Sequence, residues 1–300
     1  MALFDFDIAV YAANEAATIE ACVASIDRAC AERRAHISVL LNGTTDSSIA
    51  LLNSMRLEHA SISVYLFPVT DKANAINHFL YRLRQDAEAH FGIDAYTQIA
   101  PGALRAIAEA LAAQPQAYIA SGLPLTGRSA QAMAEQSLHG GAVEGRLYAL
   151  RPSFVDKLVE AGLRLPLQIY RGDPLLGSMA AHDLDPIGTP WDSRRIIGAP
   201  NATFAITPLS IFRWRDIRRQ YRREIRQARG VMENEAIKSI IYSAGYAALP
   251  ENANDMIATW LKTNHPQPRS LRERFFINRA LRQLNAPRIS PAAPELVFSR

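Results

Sequence analysis

Along the first third of the chain, apolar runs alternate with amphipathic stretches. Ile8-Ala9-Val10-Tyr11 is a short apolar run that ends at the polar turn Asn14-Glu15. From Thr18 to Cys30, Ile19, Cys22, Val23 and Ile26 recur at helical spacing, with Thr18 as the N-cap. Ile37-Ser38-Val39-Leu40-Leu41 repeats the strand signal, followed by the turn Asn42-Gly43-Thr44-Thr45-Asp46 and a helix over 47–55. A third strand, Ile62 to Phe67, leads into a helix over 72–84. Strand–turn–helix units repeated in this way predict a parallel sheet covered by helices on both faces. In such sheets ligands bind at the carboxyl ends of the strands, where Asn14, Glu15, Asn42 and Asp46 fall.

Beyond residue 100 the pattern loosens. Pro101 to Ala113 reads as a helix, Tyr118-Ile119-Ala120 as a strand, and Gly140 to Leu150 as a loop entering a strand. Residues 172–200 contain Pro174, Pro186, Pro190 and Pro200 with several glycines, which predicts a long functional loop. Helical character returns from Pro208. There Ile211, Trp214, Ile217, Tyr221 and Ile225 make an apolar stripe, with Arg213, Arg215, Arg218, Arg219, Arg222, Arg223 and Arg226 around it. From Pro266 the chain reads as basic and irregular.

Charge sharpens this division. Residues 1–200 hold 16 Lys and Arg against 21 Asp and Glu, a net −5; residues 201–300 hold 17 against 8, a net +9. A basic C-terminal third predicts an anionic partner there, a phosphate-bearing ligand or a membrane surface. Acidic residues interrupt the run and no helix-turn-helix, zinc or RNA-binding pattern accompanies it, so nucleic acid is not expected. Apolar content of 49% against 21% charged residues predicts a globular core. No apolar run nears the roughly 18–20 residues of a membrane-spanning helix. Asp5 and Asp7 stand where a secretory signal would carry positive charge, and Cys22 and Cys30 suit neither a disulfide framework nor a zinc site, so a cytoplasmic setting is expected.

Six segments in order resemble the inverting family 2 glycosyltransferases. Asn14-Glu15 with Ile19, Cys22 and Ile26 looks like that family's opening N-E…I…C-L-x-S-I segment, and Asn42-Gly43-Thr44-Thr45-Asp46 its D-G-S-T-D turn. Lys72-Ala73-Asn74-Ala75-Ile76-Asn77 is similar to K-x-x-A-L-N, and Asp94-Ala95-Tyr96 with Pro101-Gly102-Ala103-Leu104 to D-A-D-x-x-x-x-P-G-A-L. Gly145 to Arg151 resembles G-x-x-Y-A-x-R, and Gly172-Asp173 stands at the family's E-D. The resemblance spans residues 8–225. It implies a GT-A fold, a Rossmann-like, mostly parallel mixed sheet flanked by helices, over residues 1–207, and a basic helical region over 208–300 packed on it.

It also implies transfer of a sugar from a nucleoside diphosphate donor, UDP before others, to an acceptor hydroxyl or amine with inversion. Asp173 is then the general base, and Asn14, Glu15, Asn42, Asp46, Lys72, Asn77, Asp94, Arg222 and Arg223 bind the donor. The two arginines enter because Gln220-Tyr221-Arg222-Arg223 partly resembles the family's Q-x-x-R-W. A divalent cation, Mg²⁺ or Mn²⁺, would be held by Asp94 and the nucleotide's phosphates. Several of these residues have structural readings as well: Asp46 suits a helix cap, Lys72 a solvated first turn, Asn77 packing, and Gly172-Asp173-Pro174 an ordinary turn. Tyr96 replaces the second acid of the metal motif and Gly172 the Glu before the base. These departures leave room for a non-catalytic GT-A-like nucleotide-binding or interaction protein. The literal D-x-D triplets Asp5-Phe6-Asp7 and Asp183-Leu184-Asp185 read as surface and as a secondary metal candidate. A nucleotidyltransferase would want glycines near the first turn, and residues 8–20 contain none. A lipid-linked acceptor would suit a membrane-peripheral basic helix.

Overall fold

A computed structural model of the chain describes residues 2–127, 130–206 and 214–300, with the side chains of 214–216 and 219 left aside. Four strands make the parallel centre of the sheet: β1 (Phe4–Ala12), β2 (Ala35–Asn42), β3 (Ala60–Phe67) and β4 (Ala87–Asp94). β5 (Thr97–Ile99), β6 (Ile119–Pro124), β7 (Leu147–Leu150) and β8 (Ile196–Ile206) extend it on one side, with β6–β8 parallel and the other pairings antiparallel. β9 (Glu295–Ser299) closes the other side, antiparallel to β3. The order is β5-β8-β6-β7-β4-β1-β2-β3-β9.

The expected strands extend by one to four residues at their ends. β2 is buried along its whole length, as a strand covered on both faces must be. One face of the sheet packs Ile8, Val10, Ile37 and Val39 against α1 (Ile19–Ala29), α2 (Ser48–Ser54) and α4 (Ala103–Ala113). α1 buries the predicted stripe Ile19, Cys22, Val23 and Ile26. Both thiols are free and buried, and burial pushes Cys30 up to about 12, so both are unreactive. The other face packs Leu40, Phe79, Phe154 and Leu176 against α3 (Lys72–His78), a π-helical turn that continues it (Phe79–Leu83), α6 (Pro152–Glu160) and α7 (Gly172–Ala181). α5 (Ala130–Leu138) lies against β6 and β8.

Residues 172–200, expected as a long loop, instead contain α7, a 3-10 turn (Ser193–Arg195) and the start of β8. Pro174 sits in the first turn of α7, where a missing N–H costs no helical bond. Gly177 is where a Cβ would come within 2.8 Å of the Val143 side chain. The 208–213 part of the expected C-terminal helix lies outside the described residues; α8 runs Trp214–Ala244. Its buried face shares Ile225 with the predicted stripe and continues through Met232, Ala236, Ile237 and Ile241, whereas Ile217 and Tyr221 of that stripe are exposed. α9 (Ala253–Trp260) and α10 (Leu271–Gln283) pack on α8 through Ile225, Met232, Ile257 and Ile277. The tail after Pro266 is therefore not irregular: it forms α10 and then returns to the sheet as β9. Among the described residues no helix is long and apolar enough to cross a membrane.

Candidate active site

Because β1, β2 and β4 run parallel, their carboxyl ends converge, and the loops that follow them are tied together by their polar side chains. Asn14 adopts φ 57°, in the left-handed region that Asn tolerates better than most residues. From there its Oδ1 accepts the backbone N–H of Thr45 at 2.9 Å and of Asp46 at 3.2 Å. Asp46 in turn accepts from Ala16 N at 2.9 Å and Ser48 N at 3.0 Å. Glu15 Oε2 accepts the Thr18 hydroxyl at 3.1 Å. Asn42 is buried; its Nδ2 donates to Leu40 O at 3.1 Å, while its Oδ1 has no hydrogen-bond partner. Gly43, at φ +56°, passes so near Thr70 that a Cβ would lie 2.5 Å from its Oγ1.

Beside this clamp lies a compact charge cluster. Asp71 caps α3, accepting from Ala73 N at 2.8 Å and Asn74 N at 3.3 Å, and also takes Gln168 N at 2.6 Å. The cap fixes Lys72 in the first turn, and its Nζ reaches 2.9 Å from Asp94 Oδ1 and 3.1 Å from Asp173 Oδ2. The same ammonium donates to Gly145 O at 3.3 Å and stands 5.4 Å from the Tyr11 ring centroid. Burial disfavours its charge, but Asp173 and Asp94 outweigh that and hold its pKa above the ordinary lysine range.

Asp173 enters from the first turn of α7, over Gly145, where a Cβ would come 2.3 Å from its Oδ2. Its Oδ1 is buried and has no hydrogen-bond partner. Burial pushes its pKa up, Lys72 pulls it partly back, and the charge of Asp94 raises it again; the net direction is upward. A carboxylate that is cation-oriented on one oxygen and unengaged on the other is equipped to take a proton.

Tyr96, at the altered metal-motif position, donates its hydroxyl to Asp94 Oδ2 at 2.7 Å. Burial first, and then the Asp94 charge, keep this phenol protonated well above its usual range. Both oxygens of Asp94 are thus engaged, one by an ammonium and one by a phenol. Among the described residues there is no group of three or more His, Cys, Asp or Glu side chains placed to hold a metal ion. Hard divalent cations want several oxygen ligands free of competing protons. A cation at Asp94 would have to displace the ammonium or the phenol, or take most of its oxygens from the phosphates of a bound nucleotide.

Other candidates go elsewhere. Asn77 exchanges two hydrogen bonds with the Leu165 backbone, both at 2.9 Å, and is a buried brace away from the cluster. Asp183 pairs with Lys157 at 2.9 Å and accepts the Tyr118 hydroxyl, while Asp185 caps Ile187 N and Gly188 N, so that triplet is structural. Asp5 pairs with Arg34, and Asp7 is buried against His90. Both lie within β1, at the amino end of the sheet. Arg222 and Arg223 are exposed on α8.

Sequence reasoning also passed over a pair next to the cluster. Glu144, buried, holds Arg146 through two bonds of 2.6 Å, and the guanidinium stacks 5.1 Å from the Phe204 ring centroid. Arg146 lies inside the Gly145-to-Arg151 segment already singled out, and Glu144 stands one residue before it. The terminal Arg151 of that segment instead braces the chain, donating to Ala117 O and Gln114 O.

The sheet order, the helices on both faces and the carboxyl-edge cluster define a GT-A fold, and solved glycosyltransferases share that fold. The mannosyltransferase PcManGT from Pyrobaculum calidifontis, in complex with GDP-Man and Mn²⁺, superposes with a TM-score of 0.59 at 16% identity, covering 95% of this chain and 81% of that one. S. aureus TarS 1–349 in complex with UDP-GlcNAc gives 0.58 at 13% identity, covering 93% and 80%. Glucosyl-3-phosphoglycerate synthase from Mycobacterium tuberculosis, with phosphoglyceric acid, gives 0.51 at 14%, covering 77% and 78%. No family model and no curated sequence matches the chain.

Proposed function

We propose that this protein is a glycosyltransferase that moves a sugar from a nucleoside diphosphate donor, UDP before others, to an acceptor hydroxyl or amine with inversion at the anomeric carbon. The observation that carries the reading is Asp173: one carboxylate oxygen held by Lys72, the other buried and without a hydrogen-bond partner, at the carboxyl edge of a GT-A sheet. In a single displacement Asp173 Oδ1 takes the acceptor's proton. The acceptor atom attacks the anomeric carbon from the face opposite the diphosphate, and the bond to the leaving diphosphate oxygen breaks with its electron pair.

The donor's base and ribose fall to the Asn14–Glu15 and Asn42–Asp46 loops, and Lys72 is the side chain placed to meet diphosphate charge. The neighbours' crystal complexes with GDP-Man and UDP-GlcNAc support donors of this class. An Mn²⁺ ion is present in one of them; here both Asp94 oxygens are engaged by Lys72 and Tyr96, so a cation would rely mainly on the nucleotide's own phosphates.

The reading includes a peripheral contact with anionic membrane. At the start of α10, Leu271 is 84% exposed and Phe275, one turn on, 47% exposed, with Arg272 and Arg279 beside them. Apolar wedges framed by arginine suit the interface of an acidic bilayer.

Calorimetry against UDP, GDP and their sugars tests the donor. A ligand at a hundredfold excess over its Kd stabilises the fold by about 2.7 kcal/mol, a readily measured rise in Tm. NMR of the product anomer then tests inversion. If no nucleoside diphosphate binds, the reading fails; binding without turnover of any donor would instead establish the non-catalytic alternative.

A further inference from the structure

The loop that delivers Asp173 rests on α8, and it presents a second, unassigned cationic feature. Glu233 of α8 is fully buried, accepting the backbone N–H of Tyr170 at 3.0 Å and of Arg171 at 2.9 Å, and Arg229 Nε at 2.7 Å. Arg229 also donates to Gln168 O at 2.7 Å. This buried carboxylate is therefore spent on the loop backbone and on Arg229. The Arg171 side chain gets no carboxylate: its Nε is buried without a hydrogen-bond partner, and it forms no ion pair among the described residues.

α8 makes room for it at Gly230. There a Cβ would stand 2.5 Å from Arg171 Nε and 3.0 Å from Tyr170 Cδ1. A glycine in the middle of a 31-residue helix works against helix stability. Its place is explained by the arginine laid across it. One turn earlier on α8, Arg226 is exposed, also without a carboxylate partner. Its guanidinium carbon lies 5.8 Å from the Tyr170 ring centroid, and that of Arg171 lies 5.6 Å from the same centroid.

Two guanidiniums without a carboxylate partner that share one aromatic ring concentrate positive charge that an anion can neutralise. Guanidinium matches a phosphate through paired N–H bonds, and two of them balance a dianion better than a single carboxylate. Arg171 precedes Asp173 by two residues, at the N-cap of the helix that carries it, so the pair is tied along the chain to the proton-accepting carboxylate.

We infer that Arg171 and Arg226, seated on Tyr170 and Gly230, bind a phosphate monoester carried by the acceptor. This rests on the glycosyltransferase reading only for the molecule that owns the phosphate. Binding of the phosphate itself is measured without sugar transfer, so the two can fail separately.

The test is calorimetric titration of methyl phosphate into the full chain, alone and saturated with UDP, with acetate and matched chloride as controls. Methyl phosphate should bind in both states, and acetate at least tenfold more weakly. Arg171→Gln and Arg226→Gln should each weaken methyl phosphate about tenfold or more, while UDP affinity stays within about twofold. Gly230→Ala, a helix-favouring change, should weaken it too by displacing Arg171, which separates loss of the site from loss of folding. Arg171→Lys, which keeps the charge and loses the planar fork, should recover only part of the affinity. Several results would overturn the inference: no binding to the parent, unchanged affinity in the arginine variants, or an acetate affinity equal to that of methyl phosphate. Competition by UDP, or a parallel fall in UDP affinity, would also overturn it by assigning these arginines to the donor diphosphate.

Discussion

At the carboxyl edge of the sheet, opposite charges answer one another. Along the C-terminal helices they largely do not. Lys72 lies within 3.1 Å of two carboxylates, and Glu144 holds Arg146 through two short bonds. Arg222, Arg223 and Arg226 form no ion pair among the described residues, and the exposed Arg272 meets half-buried Glu224 only at 3.3 Å. Charge taken out of water must be paired, because an unpaired buried ion is too costly to keep. Charge left in water need not be paired, and an excess of one sign there acts on other molecules instead. The first region is accordingly read as chemistry and the second as recognition. Each half of that contrast can be broken by experiment.

The sharpest break is Asp173→Asn. A positioned general base contributes on the order of 10²–10⁴ in rate, so turnover should fall by that much while donor affinity holds. The upward shift of Asp173 also fixes a sign. Its folded pKa lies above the unfolded value, so the stability linked to its protonated form is present at low pH and is lost as pH rises through the folded pKa. At neutral pH the buried charge therefore opposes folding, and Asp173→Asn should leave Tm unchanged or higher. The parent's kcat/KM should show an acid limb above the usual aspartate range, and an acid limb at the ordinary value would place the base elsewhere.

Next in size is Lys72→Met. It leaves Asp94 and Asp173 facing each other without a cation, at a cost of roughly 1–3 kcal/mol or more for charged groups, so Tm should drop. UDP affinity, by calorimetry, should fall by about tenfold or more, since one charge-assisted bond is worth about 1.5–3 kcal/mol. Lys72→Arg should restore only part of it, because a planar fork does not replace a point charge between two carboxylates. A smaller effect separates lysine from metal. The parent should bind UDP with the same affinity in EDTA and in Mn²⁺, while Tyr96→Asp, which frees an Asp94 oxygen and adds a carboxylate, should bind more tightly in Mn²⁺. A parent whose UDP affinity rises with Mn²⁺ would show that Asp94 gives up its two hydrogen-bond partners for a metal.

The two regions also differ in how far the sequence discloses them. β1 to β3 and α1 were legible because their apolar residues follow strand and helix periods and their turns carry Asn and Gly. β4 was not. Glu88, His90 and Gly92 interrupt its apolar pattern, yet it lies at the centre of the sheet, where His90 meets Asp7 at 3.0 Å and Gly92 leaves room for the Tyr148 ring. α7 was hidden by its proline and glycines, whose reasons are tertiary. Asp94, Lys72 and Asp173 were each singled out, but their mutual contact depends on three distant segments and no spacing encodes it. The hydrogen bond from Tyr96 to Asp94 could have been anticipated only as a polar substitution of similar reach. The C-terminal region was legible in charge and not in shape, because α10 and β9 take their places from α8, α9 and β3 rather than from strong local periodicity.

The smallest expected effects concern the membrane half of the contrast, and they are measured by co-sedimentation with phosphatidylcholine vesicles, with and without phosphatidylserine. A leucine at 84% exposure contributes little to the folded core, so Leu271→Ser should leave Tm near the parent value. Burying that side chain fully in an apolar phase is worth about 1.5–3 kcal/mol, and partial insertion less, so vesicle binding should fall by about three- to tenfold. Arg272→Gln should cost about 1 kcal/mol of attraction to an acidic surface, roughly a fivefold loss confined to vesicles containing phosphatidylserine. Arg272 is exposed and its pair with half-buried Glu224 is long at 3.3 Å, so it adds little to stability and the loss would not reflect unfolding. Raising salt should erase the effect of Arg272→Gln and leave much of that of Leu271→Ser, because screening acts on charge and not on apolar contact. If the parent binds neutral and acidic vesicles equally, or neither, the exposed arginines of α10 do not serve a bilayer. Recognition by the C-terminal region would then narrow to the arginines beside Asp173.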